Sequence, residues 1–337
     1  MRTPLFLLIW LAVSAAVFAA SVWLGNDYIF FACYVVLQYV VLGTAWNILG
    51  GYCGYVNFGS AAFFALGAYS TVAIYQLTRE NEFYGLPIPV LMLIGGIVSG
   101  IVGFGMGYLT LRLRGAFFAI ATLALAVVLQ TLVVNWDYVG GSRGAYIIRP
   151  EQIEPIGNYI RYLFLVMLLL AVAAITIARL IEHSRLGYGF ASIRDDELAA
   201  EASGVPTLRL KLIATTISGA LMGMAGAPFP YYIGYLQPSS TFGLDYAVNS
   251  IAMPLIGGTT SWIGPLIGAL LLGSLQQIAT VTISSAVNLL IVGFVLVIFV
   301  IIAPNGIVGL IHTYLQRRPE DFVGRRQVEA ELPGRVQ

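Results

Sequence analysis

Long apolar runs separated by short polar segments dominate the chain. About 20 predominantly apolar residues suffice to cross the hydrocarbon core of a bilayer as a helix. Eight runs reach this length, so the pattern predicts an all-α polytopic membrane protein with about eight spanning helices. The runs cover residues 4–24, 28–49, 58–78, 87–110, 115–135, 160–181, 211–231 and 283–303.

A further apolar stretch, 247–281, is interrupted by Pro254, Gly257-Gly258 and Gly264-Pro265. We expect a re-entrant hairpin of two short helices that enters and leaves by one face of the membrane and is broken at 257–261. Non-helical backbone at membrane depth persists only where protein or water satisfies its hydrogen bonds, so the break should face the bundle interior. One long kinked helix is the alternative, and it would put the basic C-terminal residues outside the cell.

The charges orient this arrangement. If the N-terminus is cytoplasmic and the spans alternate, most of the 17 Lys and Arg residues fall inside, as the positive-inside rule requires. Both termini are then cytoplasmic.

The first run resembles a signal peptide, but its apolar residues continue past the small-residue pattern, which favours an uncleaved span. We divide the chain into a transmembrane domain, 1–315, and a disordered tail, 316–337.

Composition supports the membrane assignment. Hydrophobic residues make up 59% of the 337 and charged residues 10%, whereas soluble domains carry about 25% charged residues. The net charge of +1 gives no field that would attract nucleic acid. Cys33 and Cys53 lie in apolar surroundings and are interpreted as small buried hydrophobes.

Several kinds of chemistry are missing from the sequence. A phosphate-binding P-loop needs a lysine after glycine, but the one lysine of the chain, Lys211, stands between two leucines. No carboxylate sits in the middle of a run, which disfavours a proton-coupled carrier. The sequence also offers no nucleophile with a base and no metal cluster. We therefore predict a non-catalytic subunit powered by another polypeptide. A stand-alone secondary carrier or channel and a non-transporting scaffold are the alternatives.

One loop, 182–210, combines charges with a helix-forming sequence. Ser184 or Asp195 is placed to cap a short helix over 196–202, and Gly204 ends it as the C′ residue. Acidic residues oppose attraction to an anionic membrane surface. We therefore interpret this loop as a docking site for a soluble protein. A helix lying on the membrane is the alternative. One face of the predicted helix carries Leu198, Ala202 and Val205, and the other carries Asp196, Glu197, Ala200 and Glu201.

A second unusual segment is the glycine-rich stretch 50–59, which breaks the helix after Leu49. It brings Asn57 and exposed backbone groups to the membrane. Broken helices of this kind line the substrate path in many transporters. A tight turn between two spans explains the pattern equally well, so both interpretations stay open.

Three ordered motifs are similar to those of bacterial branched-chain amino acid ABC importer permeases, with most likeness to the LivM-type subunit. The first, in 51–69, is followed by one in 185–204 and one in 256–269. They read Gly51-Tyr52-x-Gly54-Tyr55-Val56-Asn57-Phe58-Gly59-Ser60-Ala61-Ala62-Phe63-Phe64-x-x-Gly67-Ala68-Tyr69, Arg185-x-Gly187-x-x-x-x-x-Ile193-Arg194-Asp195-Asp196-Glu197-x-Ala199-Ala200-Glu201-x-x-Gly204, and Ile256-Gly257-Gly258-Thr259-x-x-x-x-Gly264-Pro265-x-x-Gly268-Ala269.

This resemblance implies a type II-like ABC importer transmembrane domain in the bacterial inner membrane. The implied partners are a second, related permease, two cytoplasmic ATPase subunits that bind ATP and Mg, and a periplasmic solute-binding protein that sets most of the selectivity. No cofactor belongs to this chain. An ATPase subunit would contact 182–210 through Arg185, Gly187, Arg194, Asp195, Asp196, Glu197, Glu201 and Gly204. The translocation path would include Gly51, Gly54, Asn57, Gly59, Gly257, Gly258 and Thr259.

One departure from the family pattern concerns the solute. The family usually carries Gln-x-Ser-x-Gly-His where this chain has Tyr55-Val56-Asn57-Phe58-Gly59-Ser60. A branched-chain amino acid is the expected solute. Urea, short amides and small carboxylic or aromatic acids are alternatives, because permeases of this kind serve them too.

Overall fold

A computed structural model describes residues 27–80, 86–110, 113, 115–149, 152–153, 157–282, 285–303 and 306–316, together with scattered positions between Leu5 and Trp23. Two predictions therefore concern residues largely outside the described part: the first span, 4–24, and the tail, 316–337, of which only Gln316 is described.

Helices form nearly all of the described chain. They are α1 (Asp27–Gly50), α2 (Ser60–Glu80), α3 (Ile88–Thr110), α4 (Ala116–Val134), α5 (Tyr159–Glu182), α6 (Arg185–Asp195), α7 (Glu197–Ala202), α8 (Thr207–Gly226), α9 (Phe229–Ile233), α10 (Pro238–Thr241), α11 (Leu244–Gly257), α12 (Ile263–Thr282), α13 (Ser285–Ile302) and α14 (Gly306–Gln316). Two 3₁₀ turns, Asp137–Val139 and Gly141–Arg143, precede four two-residue strands. These are β1 (Ala145–Tyr146), β2 (Gln152–Ile153), β3 (Gly157–Asn158) and β4 (Tyr235–Leu236), and β1 pairs antiparallel with β4 as β2 does with β3.

Within the described residues, seven helical stretches are long and apolar enough to cross a membrane. Six of them coincide with predicted runs, which confirms the all-α polytopic fold. The seventh is α12, the second limb of the predicted hairpin. With 20 residues it is as long as a full span, so the prediction of two short limbs is wrong for this one. The predicted run 283–303 forms α13.

The interruption of the hairpin lies where glycines predicted it. α11 ends at Gly257, and Gly258 adopts a φ of 121°, a conformation that residues with a Cβ rarely adopt. A Cβ on Gly257 would overlap the carbonyl of Gly264, so the two limbs meet at their glycines. The two limbs also pack against each other along their length.

The helix ends reveal which loops share one end of the bundle. Loop 51–59, the segment 182–206 and the hairpin tip 258–262 lie together, and we name this the coupling end. Gly306, at the start of α14, packs on Gly258 there. Phe6 also lies at the coupling end, with its ring 5.2 Å from that of Trp262. Phe6 and Gly306 therefore both lie at the coupling end.

Glycine stripes bring the spans together. Helix association in lipid depends on close packing because lipid tails are as apolar as leucine. A Cβ on Gly103 would lie 3.1 Å from the Thr215 carbonyl oxygen, and one on Gly96 would lie 2.7 Å from Met224. These contacts make α3 and α8 the most extensively packed helix pair among those described.

Candidate functional site

The loop predicted as a docking site folds into two helices, α6 and α7, instead of one. The Ser184 hydroxyl caps α6 by accepting from the Leu186 N–H at 3.1 Å. The cap of α7 is Asp196, whose carboxylate accepts from the Ala199 N–H at 3.0 Å. Asp195, the predicted alternative cap, is instead the last residue of α6, because the chain turns at Asp196. Gly204 follows α7 with a φ of 83° and acts as its C′ residue, as predicted.

The residues that α7 buries and exposes differ from those predicted. Ala200 is buried against the bundle and Glu197 is largely buried, although both were expected on the charged outer side. Leu198 is 63% exposed instead, beside exposed Ala199 and Ala202. Tyr188 on α6 is 75% exposed. Large apolar side chains are therefore exposed on both helices.

Charged residues are also exposed on these two helices. Arg194 pairs loosely with Asp195 at 3.4 Å, and both side chains reach solvent. Glu201 accepts a hydrogen bond from the Thr207 hydroxyl at 2.8 Å, which ties the end of α7 to α8. We call the exposed set the docking face; it consists of Arg185, Tyr188, Arg194, Asp195, Asp196, Leu198 and Ala202.

Behind the docking face lies a buried ion pair. The Lys211 ammonium, on α8, donates to the Glu197 carboxylate at 2.6 Å, and the two side chains are 3% and 12% exposed. Tyr55, from loop 51–59, donates its hydroxyl proton to the other oxygen of Glu197 and accepts from Lys211 at 3.2 Å. A charge-assisted triangle of this kind joins three separate segments in a poorly solvated place.

A second carboxylate anchors the other half of loop 51–59. Glu182, at the end of α5, accepts from the Tyr52 hydroxyl at 3.1 Å and from the Trp262 N–H at 2.7 Å through the same oxygen. Burial and the neighbouring Glu182 carboxylate raise the pKa of Tyr52 well above its usual value, so this phenol stays protonated. Glu182 thus links the loop to the tip of the hairpin.

The remainder of loop 51–59 is fixed by backbone contacts. The Trp46 indole donates to the Asn57 carbonyl at 2.8 Å, while the Asn57 side chain accepts from the Gly59 N–H at 2.8 Å. Gly54 has a φ of 78° and would place a Cβ 3.0 Å from Arg194. The absence of a side chain there lets the end of α6 rest directly on the loop.

The matching family model is described as "Branched-chain amino acid transport system / permease component", and it covers residues 28–300. The chain belongs to this permease family. It is similar to the high-affinity branched-chain amino acid transport system permease protein LivM of Salmonella typhimurium, with 27% identity over 313 residues that cover 86% of this chain and 72% of the relative. It is also similar to LivH of the corresponding system of Escherichia coli, with 22% identity over 290 residues, or 80% and 91% of the two chains.

A third relative is named for a different solute. The autoinducer 2 import system permease protein LsrC of an Enterobacter species is 26% identical over 199 residues, which cover 58% of this permease and 57% of the relative. No solved structure matches the chain.

The predicted path residues of the permease all lie at the coupling end. α1 has 24 residues and is about 36 Å long, which exceeds the hydrocarbon thickness of about 30 Å, so Gly51 and the following loop lie at the membrane boundary. A Cβ on Gly51 would clash with the carbonyl of Thr259 in the hairpin tip. Of the two interpretations left open for 50–59, this position favours the connection between spans. The set placed there comprises Gly51, Gly54, Asn57, Gly59, Gly257, Gly258 and Thr259.

A cavity of about 410 Å³ opens beside the ion pair, between loop 51–59, the start of α4 and the end of α6. Cys53, Phe58, Ala119 and Ile193 contribute to its lining. Burial raises the pKa of the Cys53 thiol to about 12, with smaller opposing effects from Lys211 and Glu197. The thiol is therefore un-ionised at neutral pH.

Sequence reasoning assigned no role to three residues that form the contacts at the coupling end. Lys211 counted only as evidence against a P-loop, although a lone lysine beside an apolar run demands a buried carboxylate partner. Tyr55 was noted only as a departure from the family pattern, and Glu182 was not singled out. The contacts of Tyr52 with Glu182 and of Tyr55 with Glu197 and Lys211 each span more than a hundred residues of sequence, so local patterns held no signal for them. Lys211 and Glu197 are only 14 residues apart, but they belong to different helices.

Proposed function

We propose that this permease is the membrane-spanning subunit of an ATP-binding-cassette importer in the bacterial inner membrane. Two cytoplasmic ATPase subunits, which bind ATP and Mg, would drive it through alternating access. A second, related permease would complete the membrane part, and a periplasmic binding protein would deliver the solute. The family and the LivM and LivH relatives support a branched-chain amino acid as that solute.

The observation that carries this proposal is the anchored docking face. Its exposed residues combine large apolar side chains with charged ones, as in protein interfaces, where apolar residues are desolvated and polar residues surround them. Leu198 and Tyr188 are large exposed hydrophobes on a segment outside the candidate spans. The Lys211–Glu197 pair holds α7 from behind, so a force on the face would be passed to α8 and loop 51–59 instead of being absorbed.

Co-purification with the ATPase subunits tests this assignment. Leu198→Asp should abolish their binding, because a carboxylate replaces a large exposed apolar side chain of the face. Ile148→Asp is the matched control: Ile148 is also highly exposed but lies in the loop that joins α4 to α5, at the opposite end. Equal ATPase binding by the two variants would refute the docking face.

Reconstitution tests the energy source. In proteoliposomes, the complete assembly with its binding protein should take up a branched-chain amino acid only when ATP is supplied. The permease alone should not transport. Flux through the permease alone, insensitive to ATP, would instead establish a stand-alone carrier.

A different solute for the same machinery is the second candidate. The LsrC relative, named for autoinducer 2 import, and the departure at Tyr55–Ser60 from the usual family pattern favour it. Binding assays on the partner binding protein, with branched-chain amino acids against urea, short amides and small carboxylic acids, separate the two candidates.

A further inference from the structure

Three uncharged polar side chains meet inside the membrane part, far from the coupling end. Gln276 of α12 donates to the Asn249 side-chain oxygen of α11 at 2.7 Å, and the Asn249 amide donates to the Tyr39 hydroxyl of α1 at 3.4 Å. Tyr39 is about 17 Å from either end of α1, so the cluster lies near the bilayer midplane.

The cluster holds hydrogen-bonding capacity that the protein does not use. Gln276 is fully buried, yet its side-chain oxygen has no partner among the described residues. Polar groups inside a membrane are costly to desolvate, and those retained there commonly mark substrate pathways. Packing alone does not require an amide here, since leucine or methionine has a similar volume.

We propose that Tyr39, Asn249 and Gln276 form the midplane contact site for the transported solute, an inference that rests on the proposed importer function. The site carries no charge, so it fits a solute of zero net charge. An ammonium group would take the free Gln276 oxygen as acceptor, and a carboxylate would accept from the Tyr39 hydroxyl. A Cβ on Gly273 would lie 3.6 Å from the Tyr39 ring and from Val36, so α1 packs closely on α12 beside the cluster. The ligand class is a small zwitterion.

The arrangement also connects the site to the coupling end. Asn249 and Gln276 both belong to the α11–α12 hairpin, whose tip is bound to Glu182 through Trp262. Tyr39 belongs to α1 instead. Movement of the hairpin tip would therefore first stretch the 3.4 Å hydrogen bond between Asn249 and Tyr39, because this bond joins the hairpin to α1. The bond between Gln276 and Asn249 lies within the hairpin. Solute would then replace Asn249 as the partner of Tyr39.

The test uses the complete transporter with Gln276→Leu, which keeps the volume and removes both hydrogen-bonding groups. Gln277→Leu is the matched control, because Gln277 is the neighbouring amide and lines a separate surface groove. We expect Gln276→Leu to raise the solute concentration for half-maximal uptake about tenfold, as loss of one charge-assisted hydrogen bond predicts. Assembly should match that of the wild type, whereas Gln277→Leu should match it in both assembly and uptake.

A selectivity measurement excludes a merely structural role. The wild type should prefer an amino acid over its amide and over the corresponding 2-keto acid, whereas Gln276→Leu should lose the preference over the keto acid. If Gln276→Leu fails to assemble, Tyr39→Phe decides in its place, with reduced preference over the amide expected. Wild-type affinity and preferences in the decisive variant would overturn the site. Absence of ATP-dependent uptake by the wild type would defeat the importer function itself, and the site with it.

Discussion

Replacing Lys211 by methionine tests the buried ion pair most directly. The side-chain volume and apolar stem are kept, but the Glu197 carboxylate loses the ammonium 2.6 Å away. Breaking a buried pair by removing one partner costs about 3–5 kcal/mol, because the other charge is left poorly solvated. Glu197 is 12% exposed and borders the cavity, so water can reach part of it. We therefore expect a cost near the lower limit, about 3 kcal/mol.

This cost should be local. Amide hydrogen exchange in α7 should accelerate by about two powers of ten, which corresponds to about 3 kcal/mol. Glu197→Gln added to Lys211→Met removes the orphaned charge and should restore about half of the protection. ATP-driven uptake should fall in the single variant while ATPase binding persists, since the docking face is unchanged.

Arg209→Met is the control, because Arg209 is an exposed cation two residues earlier on the same helix. It should leave exchange in α7 and uptake unaffected. If Lys211→Met gave the same exchange rates as Arg209→Met, the ion pair would not hold α7, and the coupling route drawn from it would be wrong.

Three further predictions follow from single positions. Gly204→Ala should destabilise the coupling segment by about 1–2 kcal/mol, measured by thermal unfolding, because φ is 83°; asparagine there should cost less. Gly67→Ala should lower the free energy of unfolding by about 1–3 kcal/mol or prevent insertion, because its Cβ would overlap the Gly223 carbonyl. Gly105 has open space around it, so Gly105→Ala should be neutral or slightly stabilising in the same assay. Cys53 should resist maleimide at pH 9, where a pKa of about 12 leaves about one thiol in a thousand ionised; fast labelling by peptide mass spectrometry would contradict its burial.

Much of the membrane architecture could be predicted because a membrane span is recognisable from one continuous run of apolar residues. A span needs only length and apolarity, so six of the seven candidate spans coincide with apolar runs in the sequence. The second limb of the hairpin was misjudged for the same reason. Gly264 and Pro265 looked like interruptions of a helix, but they lie in the first turn of α12. Backbone N–H groups in the first turn have no partner within the helix, so the missing N–H of proline costs nothing there.

The docking segment was predictable in position and in its end, but not in its faces. Helical periodicity shows which residues share a side, not which side faces the protein. Glu197 and Ala200 turned inward because Lys211 and Tyr55 supply a buried partner for the carboxylate. The polar cluster of Tyr39, Asn249 and Gln276 could not be found from local sequence either, because its members come from three helices and a lone amide in an apolar run has no periodic signal.

The two carboxylates at the coupling end give loop 51–59 directional contacts on both of its sides. Its two tyrosines contact different elements. Tyr55 is bonded to Glu197 of the docking helix, and Tyr52 is bonded to Glu182, which holds the hairpin tip. A helix junction held by apolar packing alone would let the docking helix slide, since dispersion has no preferred direction. Directional, charge-assisted bonds on both sides of one short loop transmit displacement instead. Under the proposed function, movement of α7 must therefore shift Tyr55, then Tyr52, and then the Glu182–Trp262 contact that holds the tip of the hairpin.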